Sequence, residues 1–199
     1  FALFLHGTTG FSDPCAPSSS GEGAEAACLL ASQGYVTIAP DYIGMNGMGA
    51  ASTAPHGYLV GEQAAIGSWD AVRAARELMD SEDDMNLPTD MRVMIWGGSQ
   101  GGHSALFTEL YGPYYAPEYT VPGVLALIPP LNLEGLLDIG VSYFSPPTVS
   151  LLAVLTSMRA WYGIPENLLG VFTNEEPYYF ADNAESYVFV KDECNPGEG

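Results

Sequence analysis

Residues 97–101 read Gly-Gly-Ser-Gln-Gly, a G-x-S-x-G pattern. Alone it is a weak signal in a chain with 23 glycines among 199 residues. Its surroundings give it weight. The apolar run Met91 to Trp96 (MRVMIW) leads directly into it, and the helix-forming stretch Gln100 to Leu110 leads directly out. A strand–turn–helix of this kind forces the serine into strained backbone angles and lifts its Oγ clear of the sheet. Ser99 is thereby a nucleophile in waiting. The glycines two before and two after it avoid clashes with the neighbouring strand and helix. The start of the helix adds partial positive charge where an oxyanion would develop. The plain alternative is a Gly-rich turn carrying an ordinary surface serine.

A second pattern, His6-Gly7-Thr8-Thr9-Gly10, follows the first apolar run. An elbow serine draws one oxyanion donor from the amide of the next residue, here Gln100. The other comes from a loop after an earlier strand, often marked by HG. Thr8 is the first choice for that donor and Thr9 the second. A proton-accepting histidine must also reach Ser99, and none of the three here fits. His6 precedes the nucleophile, against the usual Ser…Asp/Glu…His order, and reads as a loop-orienting group. His56 lies in the loop PHGY and reads as structural. His103 sits in the helix leaving the elbow and points away. Asp41 precedes the serine, and Asp182 and Asp192 lie in loop-like segments, so none is assigned as the acid.

The elements that must hold these residues alternate in period. Phe1 to Leu5 and Tyr35 to Ala39 read as buried strands, with Met91 to Trp96 and Gly123 to Ile128 beyond them. Gly7 to Gly21 and Gly44 to Gly61 read as loops. Ala24 to Ser32, Glu62 to Asp80 and Gln100 to Leu110 read as helices. In the second of these Ile66, Trp69, Val72, Ala75 and Met79 share one face. Strands alternating with helices imply βαβ units, a parallel sheet and helices on both faces. After residue 130 the character changes to short apolar helices, Leu133 to Ile139, Thr148 to Trp161 and Pro165 to Phe172. Only Tyr187 to Val190 reads as a later strand.

The blocks LFLHGTTG, GYVTIAPDYIGMNG, HGYLVGEQAAIGSWDAVRAAREL and VMIWGGSQGGHSALF together resemble the α/β-hydrolase superfamily, in particular its secretory-lipase type of esterases. The resemblance covers roughly residues 1–130, with 131–199 similar only in kind to the helical cap such enzymes carry. It implies a doubly wound, mostly parallel α/β core over 1–130 and a helical cap over 131–199. It further implies an extracytoplasmic serine esterase or lipase acting on small-molecule or lipid esters, with a Ser-Asp-His triad and no cofactor. By position it makes Ser99 the nucleophile, with the Gln100 and Thr8 amides at the oxyanion hole. The family's acid and histidine come after the cap, and no histidine here follows His103. Either the triad is lost or the chain is the front part of a longer enzyme. The mid-strand start and polar end favour the second, so the 199 residues alone are expected to be inactive. A peptidase or acyltransferase on the same fold, and a non-catalytic hydrolase-like binding protein, are the alternatives. An intact Ser99 between glycines counts against the last.

Composition narrows the partners. Lys+Arg 5 against Asp+Glu 24 gives a net charge of −19. Five cations cannot neutralise a phosphate backbone or dock on anionic lipid, so nucleic acid is excluded as a partner. The acidity fits salt adaptation, secretion or plain solubility. The acidic stretches SEDD and NEEPYYFADNAE read as solvated faces. No calcium loop and no Cys/His spacing for zinc appears, and no apolar run is long enough to span a bilayer. Cys15 and Cys28 could close a short loop in an oxidising compartment or be two small buried hydrophobes, while the odd total leaves one of Cys15, Cys28 and Cys194 unpaired. The aromatics Tyr143, Phe144, Trp161, Tyr162, Tyr178 and Tyr179 either line an acyl pocket or form core.

Overall fold

The computed structural model describes residues 1–21, 24–46, 54–81, 91–136, 147–164 and Cys194. Strands β1 (Ala2–Leu5), β2 (Thr37–Ile38), β3 (Met94–Gly98) and β4 (Val124–Leu127) form a wholly parallel sheet in the order β2-β1-β3-β4. Parallel neighbours require crossovers. After a short α1 (Pro17–Ser20), α2 (Ala24–Ser32) links β1 to β2, α3 (Gly61–Asp80) links β2 to β3, and α4 (Gln100–Tyr115) links β3 to β4. The step from β1 to β2 runs one way across the sheet and the next two run the other. Right-handed crossovers therefore set α2 on one face and α3 with α4 on the other. A fifth helix, α5 (Pro147–Tyr162), follows the sheet.

Register explains the core. Leu3 pairs with Ile38 and with Ile95, so the three side chains share one face. All three are buried there with Leu5, Trp69 and Val72. Each such large apolar side chain contributes about 1.5–3 kcal/mol by leaving water. Trp69, fully buried on α3, donates its indole N–H to the Thr108 carbonyl of α4 at 2.8 Å, which fixes the two helices against each other. The α3 face is rotated slightly from the one expected. Ala65, Ser68, Trp69 and Val72 are buried, whereas Ile66 is only half-buried. On the opposite face of the sheet Phe4 and Trp96 meet edge to face, and Leu125 and Leu127 are each 46% exposed.

Some expected elements differ. The strand over Tyr35–Ala39 contracts to Thr37–Ile38. Its extension beyond Ile38 runs into Pro40, which has no N–H for a ladder, and Tyr35 at the other end is exposed. The loop after β1 contains a 3-10 turn over Asp13–Cys15 as well as α1, each with a proline in its first turn, where a missing N–H costs nothing. Asp41 holds α1 in place. Its carboxylate accepts the Ser18 N–H at 3.1 Å and the Ser18 hydroxyl at 2.6 Å. Residues 133–136 are helical. The segments Pro165 to Phe172 and Tyr187 to Val190, with Asp182 and Asp192, lie outside the described residues.

The cysteines pair differently from the short loop considered above. Cys15, fully buried, is disulfide-bonded to Cys194, 179 residues away. Cys28 is free and exposed on α2, a helix with no buried residue. Burial separates the two partners considered for that loop: Cys15 faces inward and Cys28 outward. Alkylating unreduced protein and mapping its peptides is therefore expected to recover Cys28 modified and the Cys15 and Cys194 peptides joined. Modification of Cys15 without reductant would contradict this pairing.

Candidate active site

β3 ends at Gly98, and Ser99 caps α4 with φ 54° and ψ −120°. A serine at this positive φ, a region that favours glycine, costs about 1–3 kcal/mol and persists only where its surroundings impose it. Here they do. A Cβ on Gly97 would run into the Gly101 carbonyl, and a Cβ on Gly101 would run into the Leu5 carbonyl of β1. The turn therefore closes only because both flanking positions lack side chains, as the pattern suggested. Gly102 is as tightly set, its missing Cβ 2.7 Å from the Leu127 carbonyl oxygen of β4. The outcome is a serine at the carboxyl edge of a parallel sheet, where ligands of α/β folds gather. Ser99 is exposed, while Gly97, Gln100, Gly101 and Gly102 around it are buried.

The Gln100 amide opens α4 and so has no intrahelical acceptor, leaving it free for an anion. The His6–Gly10 loop comes alongside. A Cβ on Gly7 would lie 3.5 Å from the Gly98 carbonyl oxygen and 4.0 Å from the Ser99 Cβ. The backbone leading into Thr8 thus passes directly over the serine. Thr8 is half-buried, with its hydroxyl hydrogen-bonded to that of Tyr58 at 3.0 Å. The Thr9 hydroxyl is buried and meets no partner among the described residues.

The three histidines go elsewhere. The Ser99 hydroxyl has no hydrogen bond to a described side chain. His6 donates from Nδ1 to the Gly7 carbonyl at 2.6 Å and packs at a tilt against Tyr42, whose hydroxyl donates to the His6 carbonyl at 2.9 Å. It shapes the loop over Ser99, as its place in the sequence implied. Burial strips water from the Tyr42 phenol and pushes its pKa well up, so it remains a hydrogen-bond donor. His103 is buried against Phe107, and loss of water lowers its pKa to about 4. His56 is buried too. Desolvation chiefly, opposed by its bond to the Ile43 carbonyl, lowers its pKa to about 4. Burial thus favours the neutral form of both rings near pH 7.

One arrangement of the His56 ring satisfies every partner. Its Nδ1 faces the Ile43 carbonyl at 3.2 Å, and a carbonyl can only accept, so Nδ1 carries the proton. In a neutral ring Nε2 then accepts, and it takes the Gln100 Nε2–H at 3.0 Å. The side chain of the residue after the nucleophile is thus pinned to the loop before α3. The PHGY sequence reads as structural at His56 and carries no signal for a role of Tyr58. The contact between Tyr58 and Thr8 spans 50 positions and has no local pattern.

Helix α5 closes over this loop. Ser157 accepts the Tyr58 N–H at 3.0 Å and donates to the His56 carbonyl at 2.8 Å. Ala153 and Val154 pack on Phe11, Tyr58 and Leu59. Trp161 and Tyr162 are not core: they are 36% and 55% exposed, and Trp161 donates to the Glu62 carboxylate at 3.0 Å. A cavity of about 460 Å³ beside the last turns of α5 is lined by Pro55, Thr156, Arg159, Ala160, Gly163 and Ile164, so it includes no elbow residue. Tyr143, Phe144, Tyr178 and Tyr179 lie outside the described residues. Among the described residues no helix is long and apolar enough to cross a membrane, and no cluster of His, Cys, Asp and Glu could hold a metal ion.

The chain resembles known proteins in sequence and in fold. The model of the secretory lipase family matches residues 23–138. Lipase 4 of Candida albicans is 30% identical over 151 residues, covering 75% of the chain and 27% of the relative. Lipase 9 of the same organism is 26% identical over 166 residues, covering 81% and 31%. The chain thus spans less than a third of these relatives' length. Candida antarctica lipase A in its closed state superposes with a TM-score of 0.68 at 17% identity, over 97% of this chain and 44% of that one. The fold is accordingly that of the α/β-hydrolases, with a four-stranded parallel sheet among the described residues. With its strained serine at the strand-to-helix turn inside the matched region, the chain belongs to the secretory lipase family.

Proposed function

We propose that the protein hydrolyses carboxylic esters, including lipid esters, through an acyl-enzyme on Ser99. The observation that carries this reading is the exposed Ser99 held at φ 54° between two glycines that tolerate no side chain. In this mechanism Ser99 Oγ attacks the ester carbonyl. The Gln100 and Thr8 amides donate to the resulting oxyanion. The alcohol leaves with a proton returned by a histidine, and water then releases the acid. The ring of His56, hydrogen-bonded at both nitrogens, and that of His103, buried against Phe107, support a triad whose base and acid come from sequence beyond these 199 residues. In this scheme residues 1–130 form the core and 131–199 belong to the cap, with α5 its first helix over the site. Membership of a secretory family supports an extracellular setting, and ester chemistry through a serine triad needs no cofactor.

Treating the full-length protein with a fluorophosphonate ester is the direct test. The reagent is expected to add one phosphonyl group, on the peptide containing Ser99, with loss of ester turnover in step. Inactivation with the label on a different serine would exclude Ser99 as the nucleophile.

A further inference from the structure

The two residues assigned to the oxyanion hole come from chain segments more than 90 positions apart, yet both are held from one place. Gln100 is tied through its side-chain amide to His56 at 3.0 Å, and Thr8 through its hydroxyl to Tyr58 at 3.0 Å. His56 and Tyr58 are separated by one residue. We propose that the segment His56-Gly57-Tyr58 is the positioning element of the oxyanion hole, setting the spacing of the Thr8 and Gln100 amides, and that Ser157 of α5 locks it in place. The proposal rests on the reading of Ser99 as the nucleophile.

Several observations show the segment to be built rigidly. The residue after it, Leu59, has φ 55°, an unusual value for a leucine, and is buried. Such strain persists where packing over-determines the backbone. A Cβ on Gly57 would fall on the Gln63 side-chain amide, and one on Gly44 would fall on the His56 backbone. The His56 ring stacks on Tyr42, whose hydroxyl holds the His6 carbonyl beside Gly7. Tyr58 meets Phe11 edge to face at 5.0 Å. Ser157 satisfies both the Tyr58 N–H and the His56 carbonyl. The loop over Ser99 and the start of α4 are therefore braced by the same three residues. An oxyanion hole works only when its donors sit where the charge appears, and a shift of about 1 Å costs up to about 100-fold.

The test compares Tyr58→Phe, Thr8→Val, His56→Asn and Ser157→Ala in the full-length protein, against Ser99→Ala. Tyr58→Phe keeps the ring on Phe11 and removes only the hydroxyl. It is expected to lower kcat by about 10-fold with KM within about twofold. Thr8→Val should do the same, and the double variant should be no worse than either, because both remove one hydrogen bond. Affinity for a trifluoromethyl ketone, whose bound form carries the oxyanion, should fall in parallel with kcat/KM. Affinity for an unreactive amide analogue of the substrate should stay level. His56→Asn and Ser157→Ala should follow the same line, assayed well below their melting temperatures. Tyr58→Phe with unchanged kcat and ketone affinity, while Ser99→Ala is inactive, overturns the positioning role alone. A fall in melting temperature with no change in those constants does so too. Persistent turnover in Ser99→Ala overturns the underlying nucleophile assignment instead.

Discussion

Ser99→Ala in the full-length protein is expected to abolish ester turnover, by about four to six orders of magnitude in kcat, while leaving the fold as stable as before. The two halves of this expectation come from different observations. The hydroxyl has no hydrogen bond among the described residues and is exposed, so its loss removes no stabilising contact. The stability change should lie within about 0.5 kcal/mol, as for other surface positions free of special contacts. Ser99→Gly should even stabilise, by about 1 kcal/mol or slightly more, because glycine reaches φ 54° without a Cβ penalty. A residue whose removal leaves the fold intact or improved, yet eliminates activity, is kept for chemistry. Denaturant unfolding and steady-state hydrolysis of a chromogenic ester on the same samples measure both halves. Residual activity within 100-fold of the parent would remove Ser99 from the nucleophile's role.

The site was legible to the extent that it is local. GGSQG between MRVMIW and a helix states the elbow in eleven consecutive residues or so, and the strand, turn and helix appear there as expected. His6-Gly7-Thr8 was readable for the same reason, since it follows β1 at once. What connects these pieces was not. The Thr8–Tyr58 and Gln100–His56 contacts join residues 50 and 44 positions apart, and neither member of a pair carries a pattern that names the other. The disulfide is the extreme case. Cys15 lies 13 residues from Cys28, yet bonds to Cys194, because inward and outward faces, not sequence distance, decide which thiols meet.

Gly101→Ala is the substitution from which the largest loss of stability is expected. Gly101 lies in the first turn of α4, and in an exposed helix the change from glycine to alanine gains about 1 kcal/mol. Here the sign reverses. The added Cβ would overlap the Leu5 carbonyl oxygen and sit 2.7 Å from that of His6. Both are backbone atoms at the end of β1, and neither can turn aside as a side chain would. Relief requires α4 to move off the sheet or β1 to separate from β3. Either disturbs the Leu5–Gly97 pairing and the core that includes Leu3, Ile95 and Trp69. A cost of about 4 kcal/mol or more follows, at the upper end for single substitutions. Gly7→Ala is the control. Its Cβ would find ordinary contact distances of 3.5 Å and 4.0 Å, so the fold should tolerate it. That Cβ would nevertheless stand beside Ser99 and crowd the space an acyl group needs, so Gly7→Ala should lose activity while keeping its unfolding midpoint. Equal midpoints for Gly101→Ala and the parent would mean that the elbow glycines are not set by backbone approach, and that the strain at Ser99 has a different source.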